Sequence, residues 1–243
     1  MSEPTGFGRP HRHLRRTDST NERARGLVAA GAPSGTVVTA DEQDAGRGRH
    51  GRRWSAPAGA ALLYSAILRP LDARHRLLPL AVPLAVCEAI ESLAPASCLV
   101  KWPNDVWVDE RKAAGVLIEA RPPDWAVIGV GINLSISPEE FPPDLRWPAA
   151  SVGHGAEPDG ARRALDAALG RWVEEGSERV VSEFERRDAL RGRRLAWEGA
   201  GEPRDGSGVA AGIDEEGNLL VQAEDRRIAL GAGEVRLVSL RQR

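Results

Sequence analysis

Between residues 97 and 134 the chain reads SCLVKW, DVWV, AAGVLIEA and DWAVIGVGINL, four Val- and Ile-rich runs divided by turn residues. Each is bounded by the residues that end strands. A sheet-rich middle is therefore the main constraint on the fold. Around it, GTVVTADEQ (35–43) alternates like a strand and ALLYSAIL (61–68) reads as a buried one. Helical spacing occupies three places. Residues 19 to 31 open on Ser19, three before Glu22, in the S-x-x-E pattern of a capping box. The stretch from Leu77 to Leu93 predicts a helix beginning near Pro83, since proline is tolerated only in a first turn. Apolar positions from Asp159 to about Leu190 predict an amphipathic helix or helix pair. The Pro-rich run Ser137 to Pro158 reads as a loop. After Arg191 the texture changes to short β segments with Gly turns (RRLAWEG, GSGVAAGID, EEGNLLVQ, RRIALG, EVRLVSL), which predicts a small β-barrel. The domain boundary is accordingly expected near residue 191, giving units 1–191 and 192–243.

With 243 residues and 42% hydrophobic content the chain can bury a core without staples. Cys87 and Cys98 have no C-x-x-C spacing and read as reduced core residues. A net charge of −2 gives no global pull toward nucleic acid or anionic lipid. The polar N-terminus lacks a secretory h-region, and no run approaches the ~20 apolar residues of a membrane span. The cytoplasm is the expected location.

Against 31 arginines stand two lysines, Lys101 and Lys112, and they bracket KWPNDVWVDERK. Arg presents a planar fork, whereas Lys is a compact charge on a flexible stem. The pair therefore points to chemistry, with chance sparing of two surface lysines as the alternative. The loop AGRGRHGRRW (45–54) contains Gly46, Gly48 and Gly51 at G-x-G-x-x-G spacing. A dinucleotide fingerprint must open a helix, and RRWSAPAGA opposes one. Alternating Gly and Arg instead let backbone N–H groups approach an anion while guanidinium forks take its oxygens. Trp54 offers a flat face for a nucleobase. The alternative is a solvated basic loop with a core tryptophan. In KWPNDV, Lys101, Asn104 and Asp105 surround a turn after a strand, which suits a site and equally an ordinary turn. Gly115 leaves room for a ligand or for another backbone. Gly129 and Gly131 would form a side-chain-free wall, or a bulge.

In the order TDSTN, EQDAGRGRHGRRW, KWPNDV, RKAAGVLIE, GVGINL, followed by a small β unit, these motifs closely resemble the biotin protein ligases over most of residues 17 to 240. The resemblance implies an α+β fold: a mixed β-sheet catalytic domain with helices on one face, then an SH3-like β-barrel. It implies that Ser19, Thr20, Asn21 and Gln43 line the pocket for the biotin ureido ring, with Gly46 and Gly115 beside it and Gly129, Gly131 and Leu117 against the apolar body. Arg47, Gly48 and Arg49 would contact biotin and the adenylate phosphate, Trp54 would cover the adenine, and Asn133 would lie near the nucleotide. Lys112 matches the lysine that bridges the biotin carboxylate and the α-phosphate. Lys101, Asn104 and Asp105 would complete the nucleotide end, with Mg²⁺ near Asp105 and its ligands unassigned. His50 receives no role.

The implied reaction joins biotin to ATP as biotinyl-5′-AMP and passes the biotinyl group to a lysine of a biotin carboxyl carrier protein. A homodimer is allowed but not required. Many bacterial members carry an N-terminal DNA-binding domain. Only sixteen residues precede the first motif here, so no nucleic-acid reader is expected, and no membrane partner. Two rivals stand beside this reading: a lipoate or octanoate ligase of the same fold, and an Arg-rich nucleic-acid module.

Overall fold

The computed structural model describes residues 6–143, 145, 147–153, 155–198, 205–224, 226–231 and 234–237. Among these, seven strands form one sheet in the order β1-β2-β3-β7-β6-β5-β4. They are β1 (His11–Thr17), β2 (Val37–Gln43), β3 (Ala61–Leu68), β4 (Cys98–Lys101), β5 (Asp105–Val108), β6 (Arg111–Arg121) and β7 (Trp125–Asn133). β1 pairs with β2 in parallel and every other neighbour is antiparallel, so the sheet is mixed.

β3 runs through the centre, buried along its whole length. Its period-2 geometry divides the molecule. Leu62, Tyr64, Ala66 and Leu68 face the main core, where helices α2 (Leu78–Leu93) and α3 (Pro158–Trp172) cover the sheet. Ile67 turns the other way, with Val38 and Val127, toward helix α1 (Thr20–Ala29). α2 and α3 thus cover one face, and α1 lies on the other, beside the cavity described below. Helix α4 (Ser177–Arg186) packs on α2. Tyr64 Oη donates to Asp166 Oδ1 at 2.8 Å, tying β3 to α3. Burial pushes the Asp166 carboxyl above the ordinary range, and Tyr64 and Arg162 pull against it.

α2 begins a turn earlier than its prolines predict, with Pro79 in the first turn and Pro83 inside the helix. Pro83 costs one backbone bond. Leu80, Val82, Leu84 and Val86, all buried, offset that cost at about 1.5–3 kcal/mol per large side chain. The expected capping box at Ser19 does not form, for the Ser19 side chain makes no cap bond. Asp18 takes the Ser19 N–H and Gln43 takes the Thr20 N–H, while Glu22 pairs with Arg25 and Arg47. The helix start is satisfied by its neighbours, and the Ser19 hydroxyl is spared.

Beyond Arg194 the strands β8 (Arg194–Glu198), β9 (Gly206–Ile213), β10 (Leu219–Ala223), β11 (Arg226–Leu230) and β12 (Glu234–Leu237) form an antiparallel sheet in the order β11-β10-β9-β8-β12. The end of the EVRLVSL segment lies outside the described residues. This sheet reaches back to the first. Trp102, 2% exposed, donates its indole N–H to Gly217 O at 3.1 Å, and Val100 exchanges backbone bonds with Arg187 and Ala189. The turn carrying Lys101 and Asp105 is thereby held on both sides. Cys87 and Cys98 are buried and free.

Candidate active site

A cavity of about 220 Å³ opens on the α1 side of the sheet, between α1, the glycine–arginine loop and the turn after β4. That is small for a ligand pocket, typically ~300–1,000 Å³, because the Trp54 indole lies across it. A Cβ on Gly131 would meet that ring at 2.4 Å and one on Gly115 at 3.1 Å. Any side chain at 131 would evict Trp54. The Trp54 Nε1 is buried without an acceptor.

At the closed end, Ser19, Thr20, Asn21 and Gln43 converge as the motif order predicts. Gln43 Oε1 accepts from Thr20 N at 2.7 Å and from Thr20 Oγ1 at 3.0 Å. Asn21 is spoken for: its Nδ2 donates to Glu119 Oε2 at 2.9 Å and to Leu117 O at 3.4 Å. A Cβ on Gly129 would lie 2.2 Å from Asn21 Oδ1. Gly129 therefore makes room for this amide.

The loop from Ala45 to Trp54 folds on itself as a small hairpin. Gly48 N donates to Arg52 O at 2.7 Å, Trp54 N to Gly46 O at 3.0 Å, and Arg47 bridges Arg53. Gly46 sits at its root, where a Cβ would meet Trp54 O at 2.3 Å. Arg47 lies 3.4 Å from Glu119 and 3.5 Å from Glu22. Arg49 Nη1 donates to Asn104 Oδ1 at 3.3 Å, and Asn104 Nδ2 in turn bonds Val116 O. The loop is thus tied to α1, to β6 and to the turn after β4.

At the other end, Lys112 Nζ lies 2.6 Å from Asp105 Oδ1 and 5.7 Å from the Trp54 ring centroid. Lys112 lines the cavity and Asp105 stands behind it. Lys101, 4% exposed, also lies behind the lining, its ammonium 5.2 Å from the Trp147 ring. Asn133 Nδ2 bonds Lys112 O and Ala150 O, clamping the lysine strand to the segment after β7. That segment, a loop by its proline content, also supplies lining: Phe141, Pro142, Leu145 and Trp147. The signal was there, two aromatics in a long proline-rich connection, because such loops are usually functional. Among the described residues no group of three His, Cys, Asp or Glu side chains forms a metal cage. Mg²⁺ at nucleotide sites is held by one or two carboxylates together with substrate phosphates, and Asp105, beside Lys112, is the carboxylate at this end.

A cavity with buried hydroxyl and amide groups at one end, loop arginines along its lining and Lys112, backed by Asp105, at the other end suits a small acid joined to a phosphate. The model of the biotin/lipoate A/B protein ligase family matches residues 13–133, and that of the biotin protein ligase C-terminal domain matches residues 204–238. The biotin–acetyl-CoA-carboxylase ligase of Mycobacterium tuberculosis is 35% identical over 90% of this chain and 85% of its own length. That of Paracoccus denitrificans is 34% identical over 91% of this chain and 98% of its own length. The structure of the Aquifex aeolicus biotin protein ligase in complex with biotin and ATP superposes with a TM-score of 0.78 at 28% identity, covering 95% of this chain and 99% of that one. The chain belongs to the biotin protein ligases of the biotin/lipoate A/B protein ligase family. No described helix is long and apolar enough to cross a membrane.

Proposed function

We infer that this protein activates biotin with MgATP and transfers it to a lysine of a biotin carboxyl carrier protein. In the first step a biotin carboxylate oxygen attacks the α-phosphorus and pyrophosphate leaves, giving biotinyl-5′-AMP. In the second the carrier ε-amine attacks the acyl carbon, AMP leaves and the amine loses a proton. Two unit charges 4 Å apart repel by about 4 kcal/mol at an effective dielectric of 20, so the first step needs cations where carboxylate meets phosphate. Lys112 and Arg47 supply them, with Arg49 on the loop beside Asn104 and Lys101 supporting the nucleotide end. Catalysis is chiefly positioning and charge compensation.

The observation that carries this reading is the cavity's division: hydroxyl and amide groups at one end, the Lys112 ammonium at the other. A ureido ring suits the first and a carboxylate the second. Trp54 and Trp147 line the cavity and offer flat faces to an adenine, Trp54 once its ring swings off Gly131. The adenylate is water-sensitive, and a loop anchored by Arg47 and Arg49 is placed to close over it. The lipoate reading is not favoured, since the closed end is polar where a dithiolane would want apolar lining. Incubation with labelled biotin, MgATP and a biotin carboxyl carrier domain tests the assignment: label should enter the carrier only with ATP, and label from lipoate instead would refute it.

A further inference from the structure

Beneath the closed end of the cavity lies a serine that lines no part of it. Ser65, on β3, is fully buried. Its Oγ lies 2.6 Å from Asn21 Oδ1 and 2.8 Å from Thr20 Oγ1. Thr20 Oγ1 lies in turn 3.0 Å from Gln43 Oε1. The two amides that end this chain are fixed in orientation. Asn21 Nδ2 donates to Glu119 and Leu117 O, and Gln43 Oε1 takes the Thr20 backbone N–H. Both chain ends are therefore carbonyl oxygens, which only accept.

Between them stand two hydroxyls with one hydrogen each. Three close O···O contacts share two hydrogens, whichever way the hydroxyls turn. The shortest contact of Ser65 is to Asn21. With its hydrogen given there and that of Thr20 given to Gln43, Thr20 Oγ1 keeps a lone pair that neither hydroxyl of this network serves. Within this network of four oxygens there are more acceptor contacts than hydrogens, and a donor arriving from a ligand relieves the imbalance.

We propose that Ser65 is a positioning residue that keeps the closed end of the pocket an acceptor, so that it selects a ligand headed by N–H donors over one headed by a donor-free ring. It rests on the biotin reading above: the ureido ring carries two N–H groups, whereas the dithiolane of lipoate carries none. Ser65 touches neither ligand. It fixes Asn21 and leaves the Thr20 oxygen open.

Equilibrium binding of labelled biotin and of lipoate to the wild type, Ser65→Ala, Thr20→Val and the double variant tests this. Ser65→Ala should weaken biotin about 5- to 100-fold, the range for orphaning a buried polar partner, and narrow the preference over lipoate. Its kcat at saturating biotin and its KM for ATP should stay within about 3-fold, since binding rather than chemistry is lost. The double variant should lose less than the product of the single losses, because both substitutions break one network. Ser65→Cys, with similar shape and a weaker donor, should fall between serine and alanine, and it serves in place of Ser65→Ala if that variant does not fold. Biotin affinity unchanged in a folded Ser65→Ala, or losses that simply multiply, would overturn the proposal. A wild type that binds no biotin overturns the functional reading instead, and shows it without any variant.

Discussion

Lys112 Nζ stands 2.6 Å from Asp105 Oδ1, and a β-bulge is what brings the two to one face. Along β6 the odd-numbered Gly115, Leu117 and Glu119 face the α1 side. An even-numbered Lys112 would point away by simple alternation. The register slips between β5 and β6, pairing Val106 with Ala114 but Trp107 with Lys112, so one extra residue in β6 reverses the parity. Bulges next to active sites commonly re-aim a side chain in this way.

Lys112→Arg keeps the charge but should reduce biotin-dependent ATP–pyrophosphate exchange about 10²- to 10³-fold, the range for losing one preorganised donor in a transition state. The broad guanidinium fork cannot occupy the point between carboxylate and phosphate. Exchange within a few-fold of wild type would remove Lys112 from the mechanism.

Gly129→Ala should abolish measurable biotin binding at concentrations that saturate the wild type, while the protein stays folded by circular dichroism. The added Cβ would lie 2.2 Å from Asn21 Oδ1, and the amide must leave both Ser65 and Glu119 to escape it. Isothermal titration with biotin is the measurement, and a dissociation constant near wild type would show that Asn21 does not organise the pocket.

The Asp18 carboxylate accepts from Arg23 and from Ser19 N, at the entry to α1. Its hydrogen bonds from Arg23 hold its pKa down, from 3.8 to about 2. A depressed carboxylate pKa contributes stability that is present above the unfolded value and lost as pH falls. Here the loss is confined to the window from pH 3.8 down to about 2. Thermal midpoints measured across this window should fall less steeply for Asp18→Asn than for wild type. Parallel curves would show that the pair does nothing for the fold.

Trypsin should cut after Arg47, Arg49, Arg52 or Arg53 readily in the free protein and much more slowly once biotin and MgATP are added. Four arginines crowd ten residues of the loop, and the Arg47 contacts at 3.4 and 3.5 Å are long pairs made by an exposed guanidinium, worth about 1 kcal/mol or less each. Equal rates with and without both ligands, by intact-mass analysis, would mean that the loop does not close over them.

Much of this was legible in the chain, and what was not has physical causes. β3 and the four strands of the middle read correctly because buried strands are runs of Val, Ile and Leu. β1 was read as polar N-terminus: it is an edge strand whose HRHLRR residues face mainly solvent, so no apolar alternation marks it. The motif residues were assigned by type and order, which places Thr20, Gln43 and Lys112 on the lining but cannot tell a lining residue from one behind it, such as Asp105 or Lys101. The bulge at Ala113 and the hydroxyl of Ser65 were invisible for one reason. Both depend on strand register, and a single serine within ALLYSAIL carries no sign of the amides it will meet.

The central claim is that one site holds biotin at its hydroxyl end and builds an adenylate at Lys112. Native mass spectrometry of the protein after incubation with biotin and MgATP tests it most directly. The account predicts a retained mass equal to biotinyl-5′-AMP, dependent on both substrates and absent in Lys112→Arg. No such species from wild type, or the same species in undiminished amount from Lys112→Arg, would contradict it.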